Sequence, residues 1–98
     1  MDQGLIRVFH DDSFIDDPTR IIRALRFMAK FGFIIEEHTK ELMIKATKHE
    51  DWQKWQKKRK SRFEIERNYI LELNQEQKDR VTKFIDENKI LEEFFQLS

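Results

Sequence analysis

A helix with a start signal and a stop signal both written into the chain constrains everything around it. Asp17 precedes Pro18, the only proline, and Phe31 is followed by Gly32, one of two glycines. An Asp side chain can accept from the orphan amides of a first helical turn, and Pro at the first helical position has no amide to leave unpaired. The pair predicts a helix from Pro18 to Phe31 with Asp17 as its cap. Gly32 supplies the left-handed residue that ends it, and Phe33 can then fold back on Met28.

At about 100° per residue, Ile21, Leu25 and Met28 share one side of this helix, while Arg20, Arg23, Arg26 and Lys30 form a stripe roughly opposite. Periodicity alone reads that as a solvated cationic face over an ordinary core. Asp17 and Arg20 carry more information. Three residues apart, they project side by side from the helix start, one an acceptor-only carboxylate and the other a donor-only guanidinium. On their pairing edges adenine and cytosine each present an amino donor next to a ring-nitrogen acceptor, which fits that pair. Guanine and uracil present the reverse order, and a matched bidentate contact discriminates by about 1–3 kcal/mol. A carboxylate used only as a cap would be less free to read a base.

Low Gly and Pro counts with abundant Glu, Lys, Gln and Leu favour long helices over sheets. The expected fold is all-α, a small bundle of about four to five helices with a short N-terminal strand at Leu5-Ile6-Arg7-Val8-Phe9. Without a neighbouring sheet that strand would be an unpaired edge. A second helix is expected from Glu37 to Lys48, with Ile35, Thr39, Leu42, Met43 and Ala46 packed on the Ile21, Leu25, Met28 side. Phe33-Ile34-Ile35 reads as an apolar link, and His38 as a surface residue. Ile65, Tyr69, Ile70 and Leu73 suggest a further helix. Asn74 with Gln77 marks a capping box for the next one, with Val81, Phe84 and Ile85 inward and a break at Asn88. The acidic, aromatic end holding Phe94, Phe95 and Leu97 either closes the core or offers a contact surface.

Lys plus Arg and Asp plus Glu both number 19, so net charge names no partner and only its distribution can. The steepest asymmetry lies between Trp52 and Phe63, where Lys54, Lys57, Lys58, Arg59, Lys60 and Arg62 occur with no acid. Cations interleaved with aromatics suit an RNA surface, and the alternative puts Trp52 and Trp55 in the core with solvated lysines around them. The absence of cysteine fits a reducing cytosol, and there is no apolar run long enough for a membrane span. His10-Asp11 matches a metal-site dipeptide, but His38 and His49 lack ligand spacing to it, so no metal ligand is assigned.

Residues 4 to 46 resemble the neck region of bacterial-type (class II) tRNA nucleotidyltransferases and poly(A) polymerases. The resemblance lies in Asp16-Asp17, two spacers, Arg20, then Arg23-Ala24-Leu25-Arg26-Phe27 and the Gly32-Phe33 close. It implies that Asp17 and Arg20 select ATP or CTP, with Asp16 where the family usually has Glu, and that Arg23 and Arg26 support the pocket or nearby phosphates. It also implies an RNA or tRNA 3′ end as partner, held by the basic stretch, and a parent reaction using Mg²⁺. The family's catalytic head carries an Asp-x-Asp that binds two metal ions, and this chain has none. The expectation is therefore a neck and partial body without the head, holding no catalytic residue and no cofactor of its own. On that basis residues 1–13 are a linker or strand remnant of the head, 14–48 the neck helices and 49–98 a helical body segment. The alternatives are a free-standing basic helical RNA-binding module, or a structural helical protein that oligomerises through its Phe-rich end.

Overall fold

The computed structural model describes residues 4–8 and 10–91. Among them, six helices and one two-stranded sheet follow in the order β1 (Leu5–Ile6), α1 (Ser13–Asp16), α2 (Thr19–Phe31), β2 (Ile34–Ile35), α3 (Glu37–Thr47), α4 (Trp52–Lys58), α5 (Lys60–Leu71) and α6 (Gln75–Asn88). The fold is mostly helical, as expected, with more helices than the sequence suggested. The basic stretch accounts for one of them, because it breaks at Arg59 into α4 and α5.

The central helix starts one residue later than predicted. Pro18 occupies the cap position in a helical conformation, and Asp17 stands just outside it. The aspartate still caps the helix, since its Oδ1 accepts from the Thr19 amide at 3.2 Å and from the Thr19 hydroxyl at 2.5 Å. Gly32, with φ at 71°, ends α2 in the left-handed region, where a side chain would be strained. Phe33 then meets Phe31, with ring centroids 5.4 Å apart.

One face of α2 is the core. Ile21, Ile22, Leu25 and Ala29 are fully buried, and Met43, Phe63, Val81 and Ile85 from the other helices join them. The main neighbours of α2 are α5 and α6, whereas α3 lies chiefly against α1. This corrects the expected pairing of α2 with α3. Met43 and Ala46 do enter the common core, but two longer helices that the local pattern could not place cover most of α2. Side chains of α6 also reach the carbonyl end of α2: Arg80 Nη1 donates to the Ala29 carbonyl at 2.9 Å, and Gln77 Nε2 to that of Lys30 at 3.4 Å. These contacts satisfy orphan carbonyls at a helix C-terminus.

The N-terminal strand is not an unpaired edge. Leu5 and Ile6 pair in parallel with Ile34 and Ile35, the residues read as a link. The amide of Ile34 donates to the Gly4 carbonyl, and that of Glu36 to the Ile6 carbonyl at 3.0 Å. The partner was within the chain all along, beyond the helix, where local pattern cannot see it.

Trp52 is buried edge-on to Phe63, with centroids 5.6 Å apart, and Trp55 stacks on His49 at 4.7 Å. The tryptophans thus serve packing. Asn74 and Gln77 form the capping box reciprocally, and α6 ends at Asn88 with Lys89 left-handed. In α5, Phe63 and Ile70 turn inward while Ile65, Tyr69 and Leu71 stay exposed, so the expected apolar stripe there is only partly a core face. Ile90 and Leu91 are buried against the bundle. Phe94, Phe95 and Leu97 lie outside the described residues. No helix among the described residues is long and apolar enough to cross a membrane.

Candidate functional site

The start of α2 faces the start of α5, and this junction gathers most of the residues singled out above. Asp17 is held by Thr19 through Oδ1, and its side chain is only 16% exposed. Its other oxygen, Oδ2, lies 3.9 Å from Arg20 Nε and 3.7 Å from Arg62 Nη1, and Arg59 Nη1 approaches Oδ1 at 3.7 Å. Burial alone pushes the Asp17 carboxyl up. Two hydrogen bonds from Thr19 and the guanidiniums of Arg59 and Arg20 together outweigh it, so the group titrates below its ordinary 3.8.

Arg20 is positioned from the other side. Its Nη1 donates to the Ser13 hydroxyl at 2.9 Å and to the Ser13 carbonyl at 3.4 Å, so the short helix α1 sets its direction. Among the described residues, Asp17 Oδ2 accepts no hydrogen bond, and Arg20 retains its remaining donors. An acceptor beside a donor therefore stands at the head of α2, each anchored through its other atom. Asp16 lies apart. Its side chain is 61% exposed and sits 3.9 Å from His10.

Arg23 and Arg26 point to a different carboxylate. Glu66 of α5 lies 3.9 Å from Arg23 Nε and 3.6 Å from Arg26 Nη1. Arg26 is further held over the rings of Tyr69 and Phe27, at 4.8 and 5.0 Å. Glu66, Ser13 and Thr19 were not singled out from the sequence, and Tyr69 was read only as part of an apolar helix stripe. The signal for Glu66 was present, because two arginines a turn apart on a helix that enters a core call for a counter-charge.

The basic stretch divides between two faces. Arg59 and Arg62, expected on an RNA backbone, turn to Asp17. Lys57 and Lys60 instead line an open groove of about 690 Å³ together with Lys48, Lys89 and Arg67. Lys60 pairs with Glu64 at 4.0 Å, while Lys54 and Lys58 are exposed. Among the described residues, no three of His, Cys, Asp and Glu come together as a metal site.

At the outer edge, His38 Nε2 lies 3.0 Å from Asp11 Oδ1, which joins α3 to the loop before α1. The hydrogen bond that the imidazole donates to the Asp11 carboxylate raises His38 above its ordinary 6.5. Because the folded value is the higher one, whatever the pair contributes is present below 6.5 and fades as pH rises through the folded value. In an NMR titration His38 should titrate above 6.5, and Asp11→Asn should return it toward that figure. A titration unmoved by Asp11→Asn would show that the bond does not form in solution.

Comparison with known proteins places this geometry in context. A stretch of 41 residues, 42% of the chain, is 49% identical to an A-adding tRNA nucleotidyltransferase of Halalkalibacterium halodurans, of which it spans 10%. A stretch of 48 residues, 49% of the chain, is 46% identical to an A-adding tRNA nucleotidyltransferase of Geobacter sulfurreducens and spans 6% of it. A CCA-adding enzyme of Bacillus velezensis is 46% identical over 45 residues, which are 44% of this chain and 11% of that one. The chain thus covers about a tenth or less of the length of these relatives. No family model and no solved structure matches it.

Proposed function

We propose that this chain, which carries a bacterial-type tRNA nucleotidyltransferase-family region, acts as the neck and partial body of a template-independent enzyme that extends RNA 3′ ends. In that role Asp17 and Arg20 read the base of the incoming ATP or CTP. The single observation that supports this most is the arrangement at the head of α2: Oδ2 of Asp17 and the guanidinium of Arg20 lie 3.9 Å apart, with Thr19 and Ser13 holding their other atoms. Prior anchoring matters because a donor and acceptor fixed before binding pay less ordering cost on contact. Such an edge matches adenine and cytosine and leaves like facing like against guanine and uracil.

Lys54, Lys57, Lys58 and Lys60 would hold the RNA backbone, a salt-sensitive contact that positions without reading sequence. Arg23 and Arg26 contribute indirectly, by tying α2 to α5 through Glu66 and so fixing the pitch of the helix that presents the pair. Phosphoryl-transfer chemistry belongs to a catalytic head outside the present residues, which supply selection and grip. In a complete enzyme containing this region, Arg20→Ala should lower the preference for ATP and CTP over GTP and UTP by roughly tenfold, as loss of one matched contact implies. Measured incorporation of all four nucleotides checks it, and unaltered selectivity would refute base reading by Arg20.

A further inference from the structure

Charge is balanced very differently at the two places where α2 meets α5. At one, Glu66 answers Arg23 and Arg26, and Arg26 is also covered by two rings. At the other, Asp17 alone faces Arg20, Arg59 and Arg62, at 3.9, 3.7 and 3.7 Å. Three guanidiniums over one carboxylate leave two positive charges unanswered there among the described residues. The excess faces solvent, since the side chains of Arg62, Arg20 and Arg59 are 64%, 45% and 38% exposed.

The separations to Asp17 exceed hydrogen-bond distance, and neither Arg59 nor Arg62 donates a side-chain hydrogen bond among the described residues. Their planar forks are therefore available to an acceptor that Asp17 does not provide. Guanidiniums held this close repel one another, and an anion set between them relieves that repulsion. A phosphate group has the charge and the oxygen spacing to be gripped by such forks.

We propose that Arg59 and Arg62, with Arg20, form a phosphate-binding site beside Asp17. Arg59 and Arg62 thereby leave the RNA-backbone tract, where the sequence pattern puts them, and join the nucleotide edge of α2. Only the identity of the phosphate's carrier, an incoming nucleotide or an RNA 3′ end, rests on the function proposed above. The site itself rests on the charge count and the geometry.

Calorimetric titration of the 98-residue chain with inorganic pyrophosphate at low salt tests this. Pyrophosphate should bind, and Arg59→Gln or Arg62→Gln should each weaken it about tenfold or more, as loss of a charge-assisted contact implies. Lys83→Gln removes the same charge from α6, where Lys83 faces Glu87 at 3.9 Å, and should leave binding unchanged. Asp17→Asn takes away the one negative charge that these guanidiniums face among the described residues and should tighten binding several-fold, the reverse of what a purely structural cluster would show. Circular dichroism confirms that each variant is folded at the titration temperature. Absence of pyrophosphate binding overturns the site, as does wild-type affinity in both arginine variants. Displacement of pyrophosphate by ATP assigns a nucleotide as carrier, displacement by single-stranded RNA alone assigns the RNA end, and displacement by neither overturns the proposal. Pyrophosphate has no base, so a failure here stays separate from a failure of base reading at Arg20.

Discussion

Phe63→Ala should remove most of the stability of this chain. The ring is 1% exposed, lies edge-on to Trp52 at 5.6 Å, and anchors the start of α5 in the same core as Ile21, Ile22 and Leu25. Truncating a buried Phe to Ala costs about 3–5 kcal/mol, from lost transfer free energy and the cavity left behind. Small domains have only about 5–15 kcal/mol in total, so the variant should unfold at far lower urea or be largely unfolded without it. Urea titration followed by tryptophan fluorescence reads this directly, because Trp52 borders the cavity. Ile65→Ala, two residues further along α5 and 51% exposed, should change stability by no more than about 0.5 kcal/mol. Equal effects of the two substitutions would mean that α5 does not present the face described here.

The second large effect concerns Asp17, whose two oxygens do different things. Oδ1 caps α2 through Thr19, and Oδ2 stands free of hydrogen bonds, among the described residues, at the edge it shares with Arg20. Asp17→Asn keeps an oxygen for Thr19 but replaces the other acceptor with a donor that faces the guanidiniums. In a complete enzyme containing this region, that change should reduce discrimination against GTP and UTP by roughly tenfold to a hundredfold, the range a bidentate contact is worth. Asp17→Ala removes the cap as well and should cost about 1 kcal/mol of helix stability besides. Selectivity lost in Asn and Ala alike, with the larger drop in melting temperature confined to Ala, would separate the two roles. Retained selectivity in Asp17→Asn would exclude base reading by this carboxylate.

The same carboxylate carries an acid limb. Its folded pKa lies below the ordinary 3.8, so the stability it contributes is fully present above that value and is lost as pH falls through the lower folded one. Asp17→Asn should therefore flatten the stability profile below about pH 4 and leave its shape near neutrality unchanged.

Where one segment carried its own instructions, the chain was legible from end to end. The Asp17-Pro18 start, the Gly32 stop and the Asn74-Gln77 box need only neighbours within a few residues, because capping satisfies amides and carbonyls of a single turn. The pairing of Asp17 with Arg20 was visible for the same reason, being one helical turn long. What lies across the fold was not. Arg59 and Arg62 looked like part of a uniform cationic run, and only the turn at Arg59 sends them to Asp17 while Lys57 and Lys60 face the groove. Parallel pairing of Leu5 and Ile6 with Ile34 and Ile35 likewise depends on α2 returning the chain to its starting edge. Amino-acid order by itself determined the mostly helical class, the stop at Gly32, the capping box of α6 and the buried face of α2, since those follow from side-chain period and backbone hydrogen bonding within a turn or two. The break at Arg59 and the partial burial of α5 did not follow from it. Tertiary structure alone decided which charges answer one another, because an ion pair depends on distances of about 4 Å between segments that sequence separation does not set.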